Sequence, residues 1–151
     1  MKIIIDADGS PVRKIVVRLA KHYDIPLIII SNVHHQIDED YGEHVMVDAG
    51  HDVADHEIVK RTEAGDLVIT QDYGLASLVL GKKADAIHQN GWFFTQENID
   101  SLLLQRHLSQ KMRKTTRRHG HIRKRKATDN EKFERVLTAY IKSKIKEIEN
   151  D

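Results

Sequence analysis

Apolar positions along the chain fall into two alternating patterns: short continuous runs, and longer stretches with helical spacing. Lys2–Ile5, Pro26–Ile30, Val45–Val47, Leu67–Thr70 and Ala84–Ile87 are short apolar runs and predict five strands. Between the first two, Val12, Ile15, Val16 and Leu19 recur every three or four residues and predict a helix with one face on the core. Ser10-Pro11 is expected to open that helix, with Ser10 as N-cap and Pro11 in the first turn. Val53–Glu63 predicts a second helix, with Gly65 where a C-terminal glycine belongs. Leu75–Leu80 predicts a third. A fourth follows Thr95, its expected cap, with Leu102, Leu103 and Leu104 supplying apolar surface. The polar stretch from Val33 to Gly42 predicts an exposed loop. Asn130–Ile148 carries Phe133, Val136, Leu137, Tyr140 and Ile141 as a stripe and predicts a last helix docked on the domain.

Strands alternating with helices predict an α/β fold: three layers, with a mainly parallel sheet of about five strands flanked by helices. A length of 151 residues suits one domain with a real core. If the strand order is 3-2-1-4-5, the order reverses between the first and fourth strands, and ligands bind at such a reversal. Those two strands end at Asp6 and Thr70, followed closely by Asp8 and Asp72.

Charge divides the chain. Residues 1–100 hold 9 Lys+Arg against 17 Asp+Glu, and residues 101–151 hold 15 against 6, which the net charge of +1 conceals. The split predicts an acidic site and a basic arm suited to a polyanion. The stretch 111–126 contains Lys111, Arg113, Lys114, Arg117, Arg118, Arg123, Lys124, Arg125 and Lys126 and no acid. It is expected to be an exposed nucleic-acid-binding arm. The expected organisation is therefore a domain at 1–110, the arm at 111–128 and a C-terminal helix at 129–151. Solubility and non-specific polyanion binding are the rival account of the arm.

With no cysteine there is no disulfide framework and no thiol chemistry. The start Met1-Lys2-Ile3 lacks a signal-peptide pattern and the longest apolar run is too short to span a bilayer, so a cytoplasmic protein off the membrane is expected. Aromatic residues are 5% of the chain, too few for an extensive base-stacking platform, so sequence-specific readout is not expected.

Asp6 and Asp8, two apart on an extended segment, point the same way. Carboxylates that close repel unless a proton or a cation lies between them. Mg2+ or Mn2+ fits, because hard cations take oxygen ligands. Asp72 is expected from the neighbouring strand end, Asp55 from the helix after the third strand, and Asp52 as a further ligand. Such a set can orient water at a phosphodiester. Each acid also has a plainer account. Asp8 could fix the turn, Asp52 and Asp72 could cap helices, and Asp66 reads as a turn residue. Most of the 10 histidines read as surface residues, with His51 and His56 the two candidates for site neighbours.

The motifs Asp6-Ala7-Asp8-Gly9-Ser10-Pro11, Asp52-Val53-Ala54-Asp55-His56-Glu57-Ile58-Val59, Gly65-Asp66-Leu67-Val68-Ile69-Thr70-Gln71-Asp72-Tyr73-Gly74-Leu75-Ala76 and Phe94-Thr95-Gln96-Glu97-Asn98-Ile99 resemble the YaiI/YqxD family of uncharacterised bacterial proteins. Two departures stand out. Gly9-Ser10 replaces that family's usual Ala-Cys, and His88-Gln89-Asn90-Gly91 replaces its usual Pro-Arg-Gly ending. The family is related to PIN-like nucleases, and Asp6, Asp55 to Ile58 and Thr70-Gln71-Asp72 match their pattern in order. The resemblance implies a PIN-like sheet, an Asp6/Asp55/Asp72 metal site, and cleavage of RNA or single-stranded nucleic acid. Ile3-Ile4-Ile5-Asp6-Ala7-Asp8-Gly9-Ser10 also resembles the first motif of haloacid-dehalogenase phosphatases, with Asp6 as nucleophile and Asp8 as general acid. Against that, the sequence leaves no room for those enzymes' inserted turn and hairpin, and their final acidic motif is missing. A non-catalytic nucleic-acid-binding protein is the third reading.

Overall fold

The computed structural model describes residues 1–32, 37–50, 52–112 and 124–151 with their side chains, and the backbone of 113–116. Strands β1 (Ile3–Asp6), β2 (Leu27–Asn32), β3 (Glu43–Val47), β4 (Leu67–Ile69) and β5 (Asp85–Ile87) form one sheet in the order β3-β2-β1-β4-β5. Every pairing within it is parallel. The helices are α1 (Arg13–His22), α2 (Val53–Arg61), α3 (Tyr73–Gly81), α4 (Gln96–Thr116) and α5 (Ala127–Glu149).

The central strands read as unbroken apolar runs because both sheet faces are covered. Successive residues of β1 serve opposite sides. Ile3 and Ile5 pack toward α1 and α5, against Val16, Leu19, Phe133, Leu137 and Ile141. Ile4 packs toward α2, α3 and α4, against Ile58, Leu75, Val79 and Ile99. β3 closes one edge, and none of its residues is fully buried: Glu43 and Met46 are exposed, and His44, Val45 and Val47 are half-buried. Gly91 lets α5 approach: a Cβ there would lie 3.2 Å from the Phe133 backbone, and its φ of +84° suits glycine.

Three local expectations are corrected. Ser10 and Pro11 do not open α1, which begins at Arg13 after Val12. The Ser10 N–H closes a turn onto the Ala7 carbonyl (3.2 Å), so the backbone reverses there before the helix starts. Gly65 does not end α2. That helix stops at Arg61, Thr62 turns extended, and the Thr62 hydroxyl donates to the Ile58 carbonyl. Gly65, with φ +88°, lies in the turn before β4 and donates to the Lys83 carbonyl. Asp52 occupies the N-cap position of α2 at φ +64°, but its side chain makes no capping bond. Thr95, by contrast, caps α4 as expected: its Oγ1 accepts from the Asn98 N–H (3.1 Å) and Asn98 Oδ1 accepts from the Thr95 N–H (2.8 Å).

α4 continues through Thr116, so the stretch expected as an arm from residue 111 begins inside a helix. α5 starts at Ala127, with the Lys126 N–H donating to Asp129 Oδ2 (2.8 Å). Among the described residues no helix is long and apolar enough to cross a membrane.

Candidate functional site

β1 pairs with β2 on one side and β4 on the other, so the chain's two windings part at β1 and β4, where their C-terminal ends leave a crevice. Asp6 ends β1 at that crevice. Its Oδ2 accepts from the Thr70 hydroxyl at 3.2 Å. The same Thr70 oxygen accepts from the Asp72 N–H at 3.1 Å, so one buried hydroxyl ties both acids to the end of β4. Asp72 caps α3: its Oδ1 accepts from the N–H groups of Gly74 (2.8 Å) and Leu75 (3.2 Å). The capping account of Asp72 is therefore correct, and it also places the carboxylate beside Asp6. Asp8 reaches the end of β2, where its oxygens accept from the Asn32 backbone N–H (3.2 Å) and side-chain amide (3.1 Å). Asp55 comes from the first turn of α2.

The electrostatics mark Asp6 out. Burial pushes its carboxyl up to about 6, and the charges of Asp55, Asp8 and Asp72 push the same way against the lowering effect of the Thr70 hydrogen bond. The charges of Asp8, Asp55 and Asp72 thus all bear on Asp6. Asp52 is exposed and is not among the charges acting on Asp6. In chemistry the four carboxylates suit a hard divalent cation. Among the described residues, however, no group of three or more His, Asp or Glu side chains is arranged to hold a metal ion. His51, His34 and His35 lie outside the described residues; His56 is exposed on α2.

The basic residues separate into several situations. Lys111, Lys124 and Lys126 are exposed. Arg113 and Lys114 lie on the backbone of α4, and Arg117, Arg118 and Arg123 lie outside the described residues. Arg125 is anchored. Its guanidinium donates to Asn90 Oδ1 (2.5 Å), the Gln89 carbonyl (2.8 Å) and Asn130 Oδ1 (2.8 Å). That fixes the start of α5 to the turn after β5. In the same turn His88 stacks on Trp92 at 4.4 Å, and burial, with Arg125 nearby, lowers the His88 imidazole to about 4. Sequence reasoning assigned no role to Asn32 or Arg125 at these contacts. Asn32 carries a weak signal as the polar end of an apolar run; the Arg125 contact joins residues 35 apart and has no local signature.

Fold and site together define a parallel α/β protein with an acidic crevice at its switch point. The chain belongs to the YaiI/YqxD family: the family model described as uncharacterized BCR, YaiI/YqxD family, matches residues 4–143. Among its relatives, the UPF0178 protein of Alkaliphilus oremlandii is 47% identical over 148 residues, covering 98% of this chain and 96% of that protein. That of Natranaerobius thermophilus is 47% identical over 141 residues, covering 93% and 96%. A crystal structure of Rae1 (YacP) from Bacillus subtilis, in mutant form, aligns over 95% of this chain and 99% of that one, at 15% identity and a TM-score of 0.41. A likeness that distant carries no argument about this protein.

Proposed function

We propose that this protein is a metal-dependent phosphodiesterase acting on single-stranded nucleic acid, with RNA the expected substrate. The observation that carries the reading is Asp6: a carboxyl at the sheet's switch point, raised to about 6 by burial, with the charges of Asp55, Asp8 and Asp72 adding to the rise. Such an arrangement is costly unless something positive resides there. Asp6, Asp8, Asp55 and Asp72 would hold Mg2+ or Mn2+. Once bound, the cation supplies Lewis-acid polarisation of the phosphodiester and a more acidic water. Thr70 aims Asp6 through its hydroxyl, and Asn32 holds Asp8 in place. Asp6 is mostly ionised at neutral pH, since its raised value still lies below 7. Lys124 and Lys126 are exposed cations that could meet phosphates.

One observation favours a second reading, binding without catalysis: no three acidic or histidine side chains among the described residues are in ligating positions. A single experiment separates the two. Labelled RNA is incubated with wild type and Asp6→Asn in EDTA, Mg2+ and Mn2+. Cleavage by wild type with either metal, lost in Asp6→Asn, supports the phosphodiesterase. Tight RNA binding with no cleavage under any condition supports the binding protein.

A further inference from the structure

Helix α4 packs on the sheet by one side only. Ile99 is buried in the core with Leu75 and Val79, and Leu102 packs against the same core. The Arg106 guanidinium donates to the Tyr73 hydroxyl on α3 at 2.8 Å. Successive helical residues are about 100° apart, so Leu104, Leu108 and Met112 fall on the side opposite Ile99. They are 58%, 49% and 62% exposed. Together with Leu103 they make four of the eight large apolar side chains exposed among the described residues, so exposure is concentrated on this one helix. Single exposed leucines need no explanation. A row at i, i+4 and i+8 is different, because it is the ridge by which one helix packs against the same ridge of another.

The charges beside this row point to what covers it. Asp100 and Lys111 are both exposed. They are three helical turns apart and so stand on the same flank of the row, one toward each end of it. The other flank carries Gln105 and Ser109 and no charge. A two-fold axis across α4, level with Arg106, lays each Leu104 on the Leu108 of a second copy. In that antiparallel pair the charged flanks face each other. Asp100 then comes level with the Lys111 of the second copy to within about 1.5 Å along the helix, and the contact occurs twice. The helix dipoles also oppose each other favourably. In a parallel pair the charged flank would face the uncharged one. Asp100 Oδ1 accepts from Gln96 Nε2 at 3.0 Å, but a carboxylate takes further donors. An ammonium carries three donors, so Lys111 can serve an acceptor on a second copy as well as any within its own chain.

We infer that the outer face of α4 is an interface with a second copy of this chain, the two helices crossing antiparallel over Leu104 and Leu108 with Asp100 of each against Lys111 of the other. Three turns of one helix offer less area than a standard interface, so the pair is weak, half-associated at roughly 100 µM chain. No residue of the acidic crevice takes part, so the inference stands apart from the phosphodiesterase reading.

The test is sedimentation of the full chain from about 5 µM to about 1 mM, over which wild type should pass from monomer to dimer. Leu108→Glu should weaken association about tenfold or more, and its Tm should stay at the wild-type value because the side chain is exposed. Asp100→Lys and Lys111→Asp should each weaken it about threefold, and the two together should restore it, since the exchange rebuilds both pairs. Met46→Lys, on edge strand β3, is the control for association through the sheet edge and should behave like wild type. The chain has no cysteine, so one introduced thiol reports the direction of the pair. Gln105→Cys, beside the two-fold axis, should cross-link on mild oxidation. Ser101→Cys should not, because its two thiols would lie about 15 Å apart along the helices. The inference is overturned if wild type stays monomeric throughout, if Leu108→Glu associates like wild type, or if Met46→Lys weakens association as much as Leu108→Glu. It is equally overturned if the double charge exchange fails to recover, or if Ser101→Cys cross-links and Gln105→Cys does not.

Discussion

Asp66, just before β4, and Asp6, the last residue of β1, stand at opposite ends of the same strand pair. Asp66 is 4% exposed and fully served. The Lys2 N–H donates to its Oδ1 at 3.1 Å, the Lys2 ammonium to its Oδ2 at 2.6 Å, and the Glu63 N–H to its Oδ2 at 2.8 Å. The Lys2 ammonium is held above its ordinary value: burial opposes this, but the hydrogen bond and charge of Asp66 outweigh it. Asp6 accepts from the Thr70 hydroxyl, and the charges of Asp55, Asp8 and Asp72 act on it. One acid is surrounded by donors and fastens the fold. The other is desolvated with like charges acting on it, which raises its carboxyl. Burial alone does not distinguish them; the sign of the neighbouring charge does.

The largest effect that sharpens this contrast is catalytic. Asp6→Asn should lower metal-dependent cleavage about a thousandfold. The same substitution should stabilise the metal-free protein by about 1 kcal/mol at pH 7.5, measured by urea unfolding in EDTA. The sign follows from linkage. A carboxyl raised in the folded state binds its proton more tightly there than in the unfolded chain. Its destabilising contribution is therefore absent below about 4, grows between about 4 and about 6, and is complete above that. The stability difference between wild type and Asp6→Asn should accordingly vanish as pH falls through that window. A variant less stable than wild type at pH 7.5 would make Asp6 a second Asp66.

Asp66→Asn should do the opposite. It breaks a buried pair and should cost about 3 kcal/mol, lowering Tm by about 10 °C in a chain of this size, while cleavage per folded molecule stays at the wild-type level. Next in size is the response to metal. Mn2+ at about a hundred times its Kd should stabilise wild type by about 2.7 kcal/mol, and Asp6→Asn by far less, in a thermal melt. The smallest effect belongs to the Asp66 end of the sheet. Tyr140→Phe removes the 2.7 Å hydrogen bond from the Tyr140 hydroxyl to Asp85 Oδ2 and should cost about 1 kcal/mol in urea unfolding, with no change in metal response.

Much of the fold was legible because each strand carries its own signal. Ile3-Ile4-Ile5 and Leu67-Val68-Ile69 are apolar on both faces, and that pattern belongs to the middle of a parallel sheet. The expected order was conditional on 3-2-1-4-5, and the observed order is the same. Helix ends were less legible. Ser10 and Gly65 have the residue types of caps but are used in turns, because hydrogen bonds to Ala7 and Lys83 claim their backbones first. The basic stretch looked like one unit because charge was its only visible property. In the structure Lys111 rides on α4 while Arg125 is spent on Asn90 and Gln89. Among the acids, the charges of Asp8, Asp55 and Asp72 all bear on Asp6, whereas Asp52 stands at the N-cap position of α2 without a side-chain capping bond.

The sequence by itself determined the alternation of strands and helices, the apolar faces that bury them, and the placing of acids just past the ends of β1 and β4. These depend on neighbours two to four residues away, and spacing records them. Only the tertiary structure decided which acid is neutralised and which is left under strain. Asp66 meets Lys2 and Asp6 meets Thr70 across the same separation of 64 residues, one pairing opposite charge and the other bringing a lone hydroxyl amid carboxylates. Charge interaction and desolvation depend on distance in space and on the surrounding dielectric, and neither is written in the spacing of residues along the chain.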